Sequence, residues 1–432
     1  MNVRTVACVF ALWLAAVWAS PAYATQYLPR IIVGFANAPH TLPGPAGATG
    51  SHYGGDGYRV AQSAHDQARR VAATYALHEV ASWPIEALGM HCVVYEITNG
   101  RPVPELLASL SKDARVVLAQ PLQEFHTLTA PASAAPAATT TAAAVSAVAP
   151  PYNDPLYDLQ TNLVALGIAR AHQRTQGAGV RIALIDTGVD SAHPDLRGRI
   201  VRTASFTAPH TRRPSDLRHG TAMAGIIAAV ANNHVGIVGI APLARLEVFE
   251  ACWQLDPASD AAACNTFTLA QALAGALAAG TPLVNLSLAG PADPLLTALV
   301  TSGIRRGVIF VAAAAPQAGF PGSIAGVIRA AGTEEPLPEG TFAAPAVHVL
   351  TTRPNGQYDF ESGTSVACAE ITGIIALLMS ATPTRLTGSA ITTLLSGRER
   401  VTGQAANSLA DPPPVDVNAA LSRLDASMHA AR

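Results

Sequence analysis

The sequence predicts an α/β protein built on a parallel sheet covered on both faces, preceded by a small α+β unit. Three observations carry this. Continuous apolar runs alternate with helical stretches after about residue 151. Strand and helix signals in a different order fill residues 28–128, and a stretch with no periodicity, 129–150, separates the two.

In the first unit, Arg30-Ile31-Ile32-Val33-Gly34-Phe35 reads as a strand. Val60, Ala64, Val71 and Tyr75 fall near helical spacing, and His91 to Ile97 is a second strand signal. Pro104 opens a helix that places Leu106, Leu107 and Leu110 on one face, and Arg115 to Ala119 reads as a last strand. The order expected is β-α-β-β-α-β. Gly44, Gly47 and Gly50 cluster without a strand before them or a helix after them, which makes them a plain loop rather than a nucleotide cradle. Residues 129–150 are almost entirely Ala, Thr, Pro, Ser and Val and read as a linker.

In the second unit, Val180 to Ile185 is a continuous apolar run that stops at Asp186. His219 to Val230 is helical, Leu283 to Leu288 and Val308 to Val311 are buried strands, and Ser365 to Met379 is a long apolar helix. In open parallel sheets, sites form beyond the carboxyl ends of the strands, which is where Asp186 falls.

The chain has 432 residues, half of them hydrophobic and 13% charged, which suits two globular units. A formal charge of −2 excludes a basic face for nucleic acid. At the start, Arg4, the apolar run Val6 to Trp18 and the small-x-small Ala22-Tyr23-Ala24 read as a cleaved signal peptide, the run being short for a membrane span. No later segment is long and apolar enough to span. Of five cysteines, Cys8 leaves with that segment. Cys252 and Cys264 flank a polar stretch and would staple a surface loop in an oxidising compartment, with two unrelated thiols as the alternative. Cys92 and Cys368 lie in apolar surroundings and read as inert core.

Three segments carry chemistry. They are Ala183-Leu184-Ile185-Asp186-Thr187-Gly188 (continuing to His193-Pro194-Asp195), Arg218-His219-Gly220-Thr221, and Glu361-Ser362-Gly363-Thr364-Ser365-Val366-Ala367. They supply an acid, a base and a hydroxyl in the order Asp, His, Ser. A serine hydroxyl attacks only when a base takes its proton, and a carboxylate must orient that base. Asp190 and His193 shape the first segment rather than react, and His234 lies in a loop.

These segments resemble the three signature motifs of the subtilisin family. Val284-Asn285-Leu286-Ser287-Leu288-Ala289-Gly290 is similar to the family's substrate-pairing strand, and Asn232 to Pro242 to the segment after its histidine helix. The resemblance spans roughly residues 151–395, and the first unit resembles the family's propeptide. It implies a three-layer subtilisin-like fold, divided into a signal peptide (1–24), an inhibitory and chaperoning propeptide (25–128), a linker (129–150) and a peptidase domain (151–432). It further implies an acyl-enzyme on Ser365, His219 as base, Asp186 as orienter, and substrate pairing at Leu288, Ala289 and Gly290. The expected partners are peptide or protein substrates and the chain's own propeptide, for a monomer in the periplasm or outside the cell. No cofactor is needed for catalysis, and a structural Ca²⁺ at Asp195 and the Asn233 loop is weighed against an ordinary hydrogen-bonded turn.

The sequence departs from the family in the segment Val311 to Pro316. There the family ends in Gly-Asn, with the Asn donating to the oxyanion, whereas this chain has Ala315-Pro316, then Gln317 as a substitute donor. Ala289 replaces a glycine, and Ala369 stands in place of a proline beside Glu370. A scaffold that binds peptides without cutting them is the alternative. An esterase is disfavoured, because Gly363-Thr364-Ser365-Val366-Ala367 lacks the second glycine of a nucleophile elbow.

Overall fold

A computed structural model describes residues 28–37, 60–129, 151–207, 213–256, 259–317, 319–333, 340–396 and 414–430. The signal-peptide, glycine-cluster and nearly all of the linker expectations fall outside them.

The first unit runs β1 (Arg30–Ala36), α1 (Gln62–Tyr75), β2 (Leu77–Ile85), β3 (Met90–Ile97), α2 (Val103–Leu110) and β4 (Leu118–Pro121), with sheet order β2-β3-β1-β4. The expected order of elements holds, but the last strand begins three residues later than Arg115. Arg115 is held in a turn, its backbone N–H and guanidinium both bonded to the Asp113 carboxylate. Strand alternation then divides the sheet. Ile31, Val33, Val93 and Tyr95 pack on α1 and α2, whereas Ile32, Cys92 and Val94 face away.

A short strand, β5 (Glu124–Thr127), leads out of this unit. The second unit begins with α3 (Thr161–Ala165), α4 (Ile168–His172), β6 (Arg181–Asp186), β7 (Ile200–Ser205), α5 (Arg218–Ala228) and β8 (Arg245–Glu250). A hairpin, β9 (Cys252–Gln254) and β10 (Ala262–Asn265), is followed by α6 (Thr266–Ala278), β11 (Leu283–Leu286), β12 (Leu288–Ala289), α7 (Pro294–Arg305) and β13 (Ile309–Ala313). The chain continues through β14 (Ile328–Gly332), β15 (Thr341–Ala344), β16 (Val349–Arg353), β17 (Gln357–Glu361), α8 (Thr364–Ser380), α9 (Gly388–Ser396) and α10 (Val417–Ala430).

Seven strands form one parallel sheet in the order β15-β14-β13-β11-β6-β8-β7. Its two faces are covered by different elements. Side chains of α5 and α8 pack with Ile182, Leu184 and Val311 on one face. Those of α6 and α7 pack with Ala183, Ile185, Val284 and Phe310 on the other. This is the α/β class that continuous apolar strands require, since both faces of the central strands β6, β8, β11 and β13 are dry.

The outward face of the first unit's sheet closes over α6 and α7, with Trp83 meeting Phe267 edge to face at 4.8 Å. Helix starts carry backbone N–H groups without intrahelical partners. Here the incoming chain supplies acceptors to both helices. Gln120 Oε1 accepts from Leu295 N at 3.0 Å, and the Gln123 carbonyl accepts from Thr266 N at 3.0 Å. Asp293 completes the arrangement, accepting from Leu296 N and from the Thr266 hydroxyl. Capping of this kind contributes about 1 kcal/mol per helix and fixes where the first unit docks.

Candidate active site

Asp186 closes β6, and its Oδ1 accepts from the Nδ1–H of His219 at 2.7 Å and from Thr187 N at 2.6 Å. Both side chains are buried, at 1% and 0% exposure. Burial alone would push the imidazole pKa down. The Asp186 charge and hydrogen bond outweigh that and hold it above the ordinary value. His219 lies in the first turn of α5, and Gly220 explains how close that turn comes to β6. A Cβ at Gly220 would sit 2.6 Å from the carbonyl oxygens of Thr187 and Gly188.

Ser365 lies in the first turn of α8, the helix that packs against α5. Its hydroxyl donates to the Ser287 carbonyl at 2.9 Å, and His219 Nε2 is buried with no hydrogen-bond partner. The helix start is tied to the sheet through a chain of polar contacts. Ser287 Oγ donates to the Ser365 carbonyl, Asn285 Nδ2 donates to Ser287 Oγ, and Thr372 Oγ1 donates to Asn285 Oδ1. Cys368 joins the same oxygen, and burial pushes its thiol up to about 12; Cys92 is likewise raised to about 12 by burial. Neither is a reactive thiolate at neutral pH.

The groove between β10 and β12 holds the chain's own residues 124–128. Strand β5 pairs antiparallel with both edges, Leu288 opposite Thr127 and Ala289 opposite His126 on one side, Cys264 opposite Phe125 on the other. Phe125 is fully buried and meets Phe320 edge to face at 5.4 Å. Removing such a ring from water contributes about 2–3 kcal/mol. Gly290 leaves room for it, since a Cβ there would fall 2.3 Å from the Phe125 ring.

At the end of this segment, Leu128 N–H donates to Ser365 Oγ at 3.0 Å, and the Leu128 carbonyl accepts from Ser365 N at 3.1 Å. An inhibitory first unit that leads the chain through the cleft is what the family resemblance implies; the register of the fit is not legible. Extended Glu124 to Leu128 matches no motif, and only the turn residues around Pro121 mark a new segment.

The remaining expected residues are placed as follows. Cys252 and Cys264 are bonded to each other across β9 and β10, so the staple lies on the strand that meets β5. Gln317 is exposed beside a cavity of about 60 Å³ that is also lined by Ala289, Ala313, Ala314 and Gly319. Asp190 and His193 are engaged in turns, accepting from Ala192 N and Asp195 N. The candidate calcium ligands are already bonded within the protein. Asp195 accepts from Asn233 Nδ2, Ile237 N and the Tyr358 hydroxyl, and Asn233 Oδ1 accepts from Val235 N. As arranged, these oxygens do not fit a cation. Among the described residues, no group of three or more His, Cys, Asp or Glu gathers as a metal site.

A family model described as the Subtilase family matches residues 177–407. The chain belongs to the subtilase family. It is similar to thermitase of Thermoactinomyces vulgaris, 31% identical over 246 residues that cover 53% of this chain and 85% of thermitase. It is also 30% identical to subtilisin E of Bacillus subtilis (strain 168) over 228 residues, 48% of this chain. The matched segment spans only 57% of subtilisin E. Among solved structures, fervidolysin from Fervidobacterium pennivorans superposes with a TM-score of 0.68. At 20% identity, covering 91% of this chain and 61% of that one, it is a likeness of fold. The subtilase assignment makes this a subtilisin-like serine peptidase fold, and Asp186, His219 and Ser365 all lie within the matched residues.

Asp186→Asn removes the largest interaction that raises His219 and leaves the burial that lowers it. In a full chain that also carries Ser365→Ala, the His219 imidazole is expected to titrate lower than it does with Asp186 in place, read by NMR across pH 4–9. An imidazole that titrates in Asp186→Asn as it does with Asp186 in place would contradict the pairing described.

Proposed function

We propose that this subtilase is a secreted serine endopeptidase made as a self-inhibited precursor, in which Ser365 is the nucleophile, His219 the base and then the acid, and Asp186 the orienter. One observation carries the reading. The chain's own Leu128 lies across Ser365 with both of its backbone polar groups bonded there. A peptide threaded antiparallel between two edge strands, ending at a serine on a helix start, is a substrate in its groove.

The chemistry follows from the placement. The Ser365 hydroxyl turns from the Ser287 carbonyl to His219 Nε2 and gives up its proton there. Oγ bonds to the Leu128 carbonyl carbon, and the resulting oxyanion is met by Ser365 N–H. Collapse breaks the bond to Thr129, whose amine leaves with the proton from His219. Water, deprotonated by His219, then releases the Leu128 carboxylate and restores Ser365. No cofactor enters these steps.

Residues 1–24 serve as the signal peptide in this account, 25–128 as the inhibitory unit and 129–150 as the linker that follows the cut. A disulfide on the substrate-binding edge suits an oxidising compartment, and among the described residues no helix is long and apolar enough to cross a membrane. Substrates are peptides or proteins bound in extended form, with an apolar side chain at the position Phe125 occupies. The protein acts as a monomer.

Purified full-length chain, followed over time beside Ser365→Ala, is expected to shed its first unit while the variant stays whole. If both stay whole and the native chain ignores a serine-directed phosphonate, the chain is a peptide-binding scaffold instead.

The oxyanion needs a second donor, because Pro316 has neither an N–H nor a donating side chain. We assign it to the Gln317 amide, which lies beside Ala289 and Ala313–Ala315. Gln317→Leu is expected to lower kcat about 100-fold with little change in KM. An unchanged kcat would show that the Ser365 N–H suffices.

A further inference from the structure

Beside the site lies a charge cluster centred on the buried Arg353, a residue outside the three motifs. This residue ends β16 with its side chain 6% exposed. Its guanidinium forks onto Asp260, Nη1 to Oδ1 at 2.6 Å and Nη2 to Oδ2 at 3.2 Å. Nη2 also lies 2.6 Å from Glu361 Oε2 and donates to the Phe360 carbonyl at 3.3 Å. Arg218 Nε donates to Asp260 Oδ1 at 2.9 Å.

Each partner stands on a different part of the site. Arg218 immediately precedes His219, and Glu361 ends β17 four residues before Ser365. Asp260 lies in the turn joining β9 to β10, the stapled hairpin whose second strand pairs with residues 124–126. The two residues before Arg353 reach the same helix. The hydroxyls of Thr351 and Thr352 donate to the carbonyls of Ala222 and Thr221 in α5, at 2.6 and 2.7 Å. One guanidinium therefore bonds directly to the nucleophile segment and the substrate-binding edge, and reaches the base segment through Asp260.

Burying such a cluster costs desolvation that an apolar set of the same volume avoids, so stability alone is a weak reason for it. What a planar fork supplies that an apolar side chain cannot is direction. We infer that Arg353 is a positioning residue for hydrolysis at Ser365, holding base, nucleophile and substrate edge in one register; this rests on the peptidase reading above. The charges that face His219 agree with such an arrangement. Asp186 on β6, Glu361 on β17 and Asp260 in the hairpin raise the imidazole, with Arg353 and Arg218 neutralising part of that field.

The test is the first-order rate of self-cleavage of the full chain, measured across pH and beside its melting temperature. Arg353→Met combined with Glu361→Gln removes one charge of each sign and leaves the Arg218–Asp260 pair. This double variant is expected to melt near the native temperature, to cleave about 10- to 100-fold more slowly, and to show an acid limb moved to lower pH. Arg353→Lys, which keeps the charge without the fork, is expected to keep the native acid limb and still cleave about 10-fold more slowly. A stable double variant with the native rate and profile overturns the inference while leaving the peptidase reading intact. Should that variant unfold, Arg353→Lys decides: the slow rate upholds the inference and a native rate overturns it. A native chain that neither cleaves itself nor reacts with a phosphonate overturns the peptidase reading, and this inference with it.

Discussion

The architecture turns on five residues of extended chain, Glu124 to Leu128, held between two strands that would otherwise be free edges. Unpaired edges attract any extended segment, and here the occupant is covalently continuous with the unit that docks beside it. The pairing to β10 and β12 brings Leu128 onto Ser365, and the acceptors of Gln120 and Gln123 set that segment's entry over the starts of α6 and α7. An intramolecular segment is present at high effective concentration, so modest contacts suffice to keep the groove filled. On the proposed precursor reading, the contacts that inhibit also align the chain for attack.

The second constraint is electrostatic. Asp186 and His219 are both withdrawn from water, which makes their mutual bond strong and any unpaired charge there expensive. The ring is thereby held by Nδ1, with Nε2 buried and without a hydrogen-bond partner; the proposed reading gives it to Ser365. The outer cluster of Arg353, Asp260, Glu361 and Arg218 surrounds this pair without touching it through a described hydrogen bond. It acts instead on the three segments that carry the site.

Much of this was legible in the sequence, for identifiable physical reasons. Buried parallel strands leave apolar runs, and the close backbone approach at Gly220 leaves a glycine beside the histidine; both are local signals. The triad positions follow from motifs in order. The strand Leu77 to Ile85 carries no strand signal, because a half-exposed edge strand containing His78, Glu79 and Pro84 has no apolar run. The last strand of the first unit was placed too early, because Arg115-Val116-Val117 reads as strand while the Asp113 carboxylate holds Arg115 in a turn. The register of Glu124 to Leu128 on Ser365 and the pairing of Arg353 with Asp260 are not legible, since these partners lie 237 and 93 residues apart in sequence. The only local sign of the cluster was charge at the buried ends of β16 and β17, where Arg353 and Glu361 stand.

The central claim is that Ser365 cuts the bond after Leu128. Its most direct measurement is the intact mass of the N-terminal fragment released when purified full-length chain is left to process itself. The account predicts a fragment whose last residue is Leu128. A fragment ending elsewhere, with Leu128–Thr129 still joined, would mean that the segment in the groove is a plug and not a substrate.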